Sequence, residues 1–303
     1  MKALASFIMR GYAQASLVAA ASALLSLLAP PFGLASGAVV ALVTLRRGMR
    51  EGALLCLLAT LGVGLLGALA LGSPWPALGT LLILWLPVWA LSGLLRASRS
   101  LSLTAAATGL VGALGVLLAH ALVQDPAAGW MELMTPLREV LVQDDVVDPA
   151  AAESVFEAVA QWMTGAFAAA LVLQWLLGLF IGRWWQAQLY NPGGFGEEFR
   201  SLRLPRLLGV AGVLLLLLIG VAPVPGLVPD LLIVLMSLYL LQGLAVLHQV
   251  HHARGLHIGW LFGLYALLVV FMPHAELLVA CLGLVDVLVN LRARLAQGPG
   301  RAP

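Results

Sequence analysis

The chain has 303 residues, of which 62% are hydrophobic and only 10% are charged. A soluble domain carries about 25% charged residues, so this composition excludes a water-soluble enzyme, a disordered chain and a disulfide-stapled secreted domain. Basic and acidic residues nearly balance, 16 against 14, so the placement of charge carries more information than its sum.

Long apolar runs fill the sequence, rather than alternating segments of about ten residues. That pattern predicts an all-α, polytopic transmembrane helix bundle and not a membrane β-barrel. Charge, Pro and Gly bound ten runs, at about 11–29, 33–45, 53–72, 77–95, 102–123, 160–182, 206–224, 229–249, 257–272 and 274–291. Lys2 and Arg10 precede the first run, and Leu34-Ala35-Ser36-Gly37 offers a small-residue cleavage site. The apolar sequence nevertheless continues toward Arg46 and Arg47, so an uncleaved signal-anchor helix is expected.

The second run is short of the ~20 residues that cross a bilayer, and Pro30-Pro31 precedes it. The basic residues argue for keeping it. With ten crossings and a cytoplasmic N-terminus, fifteen of the sixteen basic residues fall on the cytoplasmic side, and only Arg138 falls outside. This is the bias of the positive-inside rule. Both termini are then cytoplasmic. The expected organisation is a five-span half over 1–123, an acidic outer loop over 124–159, and a second five-span half over 160–303. Fifteen of the basic residues are Arg, a codon signature of a GC-rich bacterium, and the expected location is a bacterial inner membrane.

The outer loop holds eight acids: Asp125, Glu132, Glu139, Asp144, Asp145, Asp148, Glu153 and Glu157. Trp130, Met131, Met134, Leu137, Val140 and Leu141 recur near helical spacing, which predicts an amphipathic helix on the interface that Pro136 kinks or ends. Asp148-Pro149 reads as an N-cap followed by Pro at the first helical position. The helix it opens is expected to run through Phe156 and Trp162 into the sixth span.

A cytoplasmic elbow over 190–205 joins the halves. Asn191-Pro192-Gly193-Gly194 makes the turn. Phe195, Phe199 and Leu202 then share one face of a short helix over 195–204, with Glu197, Glu198, Arg200, Ser201 and Arg203 on the other. No strand precedes the glycines and no Lys-Ser/Thr follows them, so a nucleotide loop is not expected. The elbow reads first as a structural joint, and second as a docking or gating segment.

The stretch from Asn191 to Leu204, Asn-Pro-Gly-Gly-Phe-Gly-Glu-Glu-Phe-Arg-Ser-Leu-Arg-Leu, resembles a motif of the YybS-like bacterial membrane proteins. So do Met9-Arg10-Gly11 and Leu42-Val43-Thr44-Leu45-Arg46-Arg47-Gly48. The resemblance implies a multi-span inner-membrane protein and carries over no activity and no catalytic residue. More distantly, the N-terminal half resembles the substrate-capture subunits of energy-coupling factor vitamin transporters. Those have about six helices, so ten spans depart from them.

His248, His251 and His252 stand at i, i+3 and i+4 near the end of the eighth span. Two of them share a helix face suited to a transition metal. A metal site needs more ligands, and His120 and His274 fall at the opposite membrane face. An interfacial cluster near a helix C-terminus is the simpler reading, and no metal or other cofactor is expected. Cys56 and Cys281 lie in apolar runs and read as small hydrophobes.

Acids inside spans are rare and functional by default. Asp286 is the best polar candidate for ligand binding, with Asn290 one turn on, Arg292, or Arg10 before the first span, as its partner. Asp230 and Glu276 lie nearer the outer boundary. Pro87 lies mid-span and frees a backbone carbonyl, which either lines a cavity or is filled by a neighbouring helix.

No nucleophile–base pair, paired-carboxylate site or metal set emerges, so the chain is not expected to be an enzyme. The expected function is small-molecule transport or membrane substrate capture. The alternative is a scaffold that recruits partners through the 195–204 helix or the outer loop. The expected partners are the bilayer and either a small-molecule ligand or a cytoplasmic protein. No nucleic acid is expected.

Overall fold

The computed structural model describes residues 1–144, 146–221 and 226–293; Asp145, Arg294 and Arg301 lie outside them. Among the described residues every regular element is helical. In chain order these are α1 (Lys2–Ile8), α2 (Tyr12–Leu25), α3 (Pro31–Arg47), α4 (Met49–Leu71) and α5 (Trp75–Gly79). A π-helical turn (Thr80–Trp85) leads into α6 (Leu86–Ser98), and then come α7 (Leu101–Leu122), α8 (Pro126–Gln143) and α9 (Pro149–Tyr190). The last five are α10 (Gly194–Arg200), α11 (Arg206–Val221), α12 (Leu227–Ala253), α13 (Gly259–Val270) and α14 (His274–Val289).

Large apolar side chains stand exposed along these helices, among them Leu110 (70%), Leu207 (76%) and Val269 (72%). Such surfaces exceed what a soluble monomer shows and require lipid to cover them. Among the described residues five helices are long and apolar enough to cross a membrane: Met49–Leu69, Ala77–Ser98, Leu101–Leu122, Pro149–Tyr190 and Leu227–Ala253. The pair Gly259–Val270 and His274–Val289 would add a sixth, but it is bent by 118°. Length alone therefore does not support ten spans. Helices α2, α3, α11 and α13 have 14, 17, 16 and 12 residues, short of the ~20 that a crossing needs.

The chain packs as two compact units. They are not the sequential halves expected from hydropathy, because α7 and α9 each contribute to both. The first unit comprises Met1–Thr108 and Leu173–Leu202. Its centre is α3, buried continuously from Gly37 to Leu45. Small residues let α9 approach it: a Cβ on Gly182 would collide with Ala41 and with the Ala38 carbonyl, the close packing that small residues permit in lipid. Arginines cap helix ends here. Arg96 donates to the Leu45 carbonyl at 2.6 Å, and Arg47 to the Met9 carbonyl at 2.6 Å. These are last-turn or post-helical carbonyls with no partner inside the helix.

The second unit comprises Gly109–Val172 and Arg203–Pro303. Asp148 caps α9 as the sequence predicts, its Oδ2 accepting from the Ala150 and Ala151 N–H groups at 3.1 and 3.2 Å. The helix it opens runs unbroken for 42 residues. Helix α8 passes through Pro136 without ending there. It is tied to α9 by the Arg138–Glu153 ion pair and by Trp130, whose Nε1 donates to Thr164 Oγ1 at 2.9 Å.

Helix α14 runs antiparallel to α12. A Cβ on Gly243 would strike the Val279 carbonyl, one on Gly283 would strike the Tyr239 carbonyl, and Ala275 clusters with Leu244 and Leu247. In a ten-span serpentine the eighth and tenth crossings run parallel. The antiparallel pairing and the 12-residue α13 instead make 257–291 a hairpin.

Candidate functional site

Asp286 is fully buried on α14. Four donors meet it. Gln242 Nε2 donates to Oδ2 at 2.5 Å, Arg292 Nε and Nη2 to the same oxygen at 3.1 and 2.8 Å, and the Arg292 N–H to Oδ1 at 3.3 Å. Gln242 is also fully buried, and its Oε1 accepts the Leu204 N–H at 3.0 Å. This fixes the amide orientation, because a backbone N–H needs an acceptor and a carboxylate needs a donor. The network ties the segment after the elbow, α12, α14 and Arg292 at one level. Of the three sequence-proposed partners, Arg292 pairs with Asp286 through its side chain. Asn290 is the left-handed C-cap of α14 at φ 54°, and its N–H donates to the Asp286 carbonyl at 2.9 Å.

The elbow helix α10 is shorter than the predicted 195–204, ending at Arg200. Leu202 and Leu204 follow in non-helical backbone and are buried, which is what lets the Leu204 N–H reach Gln242. Phe195 and Phe199 stack on each other at 6.0 Å and pack on Phe180 at 5.9 and 5.8 Å. Arg183 forms a two-pronged pair with Glu198, Nε donating to Oε2 at 2.9 Å and Nη2 to Oε1. The apolar face is thus occupied within its own unit. Glu197 is exposed, and Arg200 and Arg203 are half-buried.

Pro87 has no N–H to give the carbonyl four residues before it, Ile83, and its ring would clash with that carbonyl. The π-helical turn over Thr80–Trp85 widens the helix at that point, and Trp175 Nε1 donates to the Ile83 carbonyl at 2.7 Å. The freed carbonyl is filled by a neighbouring helix rather than left facing a cavity.

The three histidines do not converge. His248 uses Nδ1 on the Leu244 carbonyl at 2.9 Å and Nε2 on the Tyr265 hydroxyl at 3.3 Å. His251 stacks on Trp260, and His252 is exposed. Among the described residues no group of three or more His, Cys, Asp or Glu is placed to hold a metal ion.

One arrangement escaped the sequence. Asp230 on α12 is 1% exposed. Its Oδ2 lies 2.7 Å from His120 Nε2 on α7, and its Oδ1 accepts the Gly165 N–H of α9 at 2.9 Å. Gly165 has to be glycine, because a Cβ there would sit 2.6 Å from Asp230 Cα. The pair lines a pocket of about 190 Å³ together with Gln124, Asp125, Gln161 and Thr164. His120 and Asp230 are 110 residues apart, and no local pattern links them. The available signal was that both fall at the same predicted membrane face.

Fold, exposed apolar surface and buried polar clusters together define a multi-pass α-helical membrane protein. Comparison of the chain with family models, with curated proteins and with solved structures finds no match.

Proposed function

We propose that the chain captures a small molecule at one face of a bacterial inner membrane, as a transporter or as the binding subunit of one. The observation that carries this reading is the Asp230–His120 pair in a polar pocket at the end of the second unit where the 124–148 segment begins. A buried acid at a helix end, aimed into a pocket lined by amide and hydroxyl groups, is the arrangement expected of a ligand site.

Topology belongs to the same proposal. A cytoplasmic N-terminus and eight crossings keep the basic residues up to Arg254 inside, Arg138 excepted. Arg292 meets Asp286 in the network that holds Leu204, so it stands at the level of the segment after the elbow. The Asp286–Gln242–Leu204 network then lies on the cytoplasmic side of Asp230. Asp230 lies twelve residues before Gln242 on α12, about 18 Å toward the outside. The resemblance to the YybS-like proteins implies a multi-span inner-membrane protein and adds no activity.

The scaffold reading draws less support, because Phe195 and Phe199 are spent on Phe180. The test is thermal stability of the purified protein against a panel of vitamins, amino acids, ions and amphiphiles, beside an Asp230→Asn variant. A ligand held at a hundred times its Kd stabilises by about 2.7 kcal/mol. At least one compound is expected to raise the melting temperature of the parent and not of the variant. A panel with no such compound would refute capture.

A further inference from the structure

The polar pocket has an apolar neighbour in the same unit. A second pocket, of about 410 Å³, lies between α7, α8 and α9 and is lined by Val116, Ala119, Trp130, Leu133, Phe167 and Leu171. Its size alone falls within the range of small-molecule sites, about 300–1,000 Å³. The two pockets share Pro126 and Thr164 as walls. Thr164 is held in place by the Trp130 indole N–H, and the Trp130 ring packs on Phe167 at 5.6 Å. The apolar floor is therefore built rather than merely uncovered.

Charge selects the head that fits. Neither pocket is lined by Lys or Arg. The polar one holds Asp230 and Asp125, and the 124–159 segment beside it carries seven further acids. Each Asp230 oxygen accepts one protein donor, which leaves each a second acceptor site. Gln124 and Gln161 add amide oxygens. A phosphate or carboxylate head finds no Lys or Arg here, and the one imidazole, His120, is already engaged by Asp230, whereas an ammonium finds acceptors on several sides.

We propose that the two pockets form one site for a basic amphiphile, a primary or secondary amine carried on an apolar chain or ring system. Its ammonium group binds Asp230 beside Thr164, and its apolar body lies between Leu133, Phe167 and Val116. This rests on the capture reading above and names its ligand class.

The test uses the full chain on scintillation-proximity beads in detergent, with tritiated dodecylamine as probe. Saturable binding is expected. Asp230→Asn should weaken it on the order of ten-fold or more, the loss of a hydrogen bond to a charged group. Leu133→Trp fills the apolar pocket without touching the Asp230 pair and should weaken it comparably. Dodecanoate and dodecanol should fail to compete, and ethylamine should compete only weakly. Binding that is unchanged in both variants, or displaced equally by dodecanoate, overturns the proposal as detergent-like partition. Melting curves of both variants check folding, and Leu133→Trp keeps the test decisive if Asp230→Asn does not fold. If dodecylamine fails while another panel compound binds through Asp230, the amphiphile inference falls and capture stands. If nothing binds, both fall.

Discussion

Ile83 loses its helical donor because residue 87 is proline, and Trp175 replaces that donor from another helix. The two residues should therefore be energetically coupled. Trp175→Phe leaves that partly buried carbonyl without its donor, at about 1–3 kcal/mol. Pro87→Ala restores an N–H to the chain, so Trp175→Phe should cost clearly less in that background. A double-mutant cycle of detergent melting curves measures the difference, and additive effects would contradict the assignment. The Asp286 network invites a second cycle. Asp286→Ala strands a nearly buried guanidinium, with an expected loss of about 3–5 kcal/mol. Adding Arg292→Leu should recover part of that loss. Stabilities from SDS titration that show Asp286→Ala to be neutral would remove the network from the account. Single residues were partly legible in the sequence. Asp286 and Pro87 announce themselves as a charge and a helix breaker inside apolar runs. Their partners Gln242 and Trp175 look ordinary, because the contacts span 44 and 92 positions.

Helix boundaries governed by local chemistry were readable, and those governed by packing were not. Asp148-Pro149 opens α9 because an Asx cap and a proline need only their own neighbours. The elbow helix stops at Arg200, short of the expected Leu204, because the buried Gln242 amide takes the Leu204 N–H. The 257–291 segment reads as two spans by hydropathy, yet Gly243 and Gly283 bring α14 against α12 in the antiparallel sense. Gly283→Ala should therefore disrupt that pair, since its Cβ would collide with the Tyr239 carbonyl. A loss of several kcal/mol is expected, in the manner of overpacked cores. Gly263→Ala on α13 meets nothing within 4 Å and should stabilise by about 0.5–1 kcal/mol. Melting temperatures that move in the same direction for both would contradict the pairing.

At the scale of the whole molecule, the scarcity of charge sufficed to place the chain in a membrane. The arginines then suggested a sidedness that helix lengths alone do not supply. The division into two packed units was not legible, because hydropathy follows the chain in order, whereas α7 and α9 each serve both units. The Asp230 pocket was illegible for the same reason: it is assembled from α7, α9, α12 and the start of α8. On the proposed function this pocket opens to the outside and holds a ligand. The most direct measurement is labelling of Gln161→Cys by a membrane-impermeant maleimide in intact cells, with Cys56 and Cys281 first replaced by Ala. Labelling is expected without permeabilisation, with protection by dodecylamine. Labelling that appears only after the membrane is opened, or that dodecylamine leaves unchanged, would contradict it.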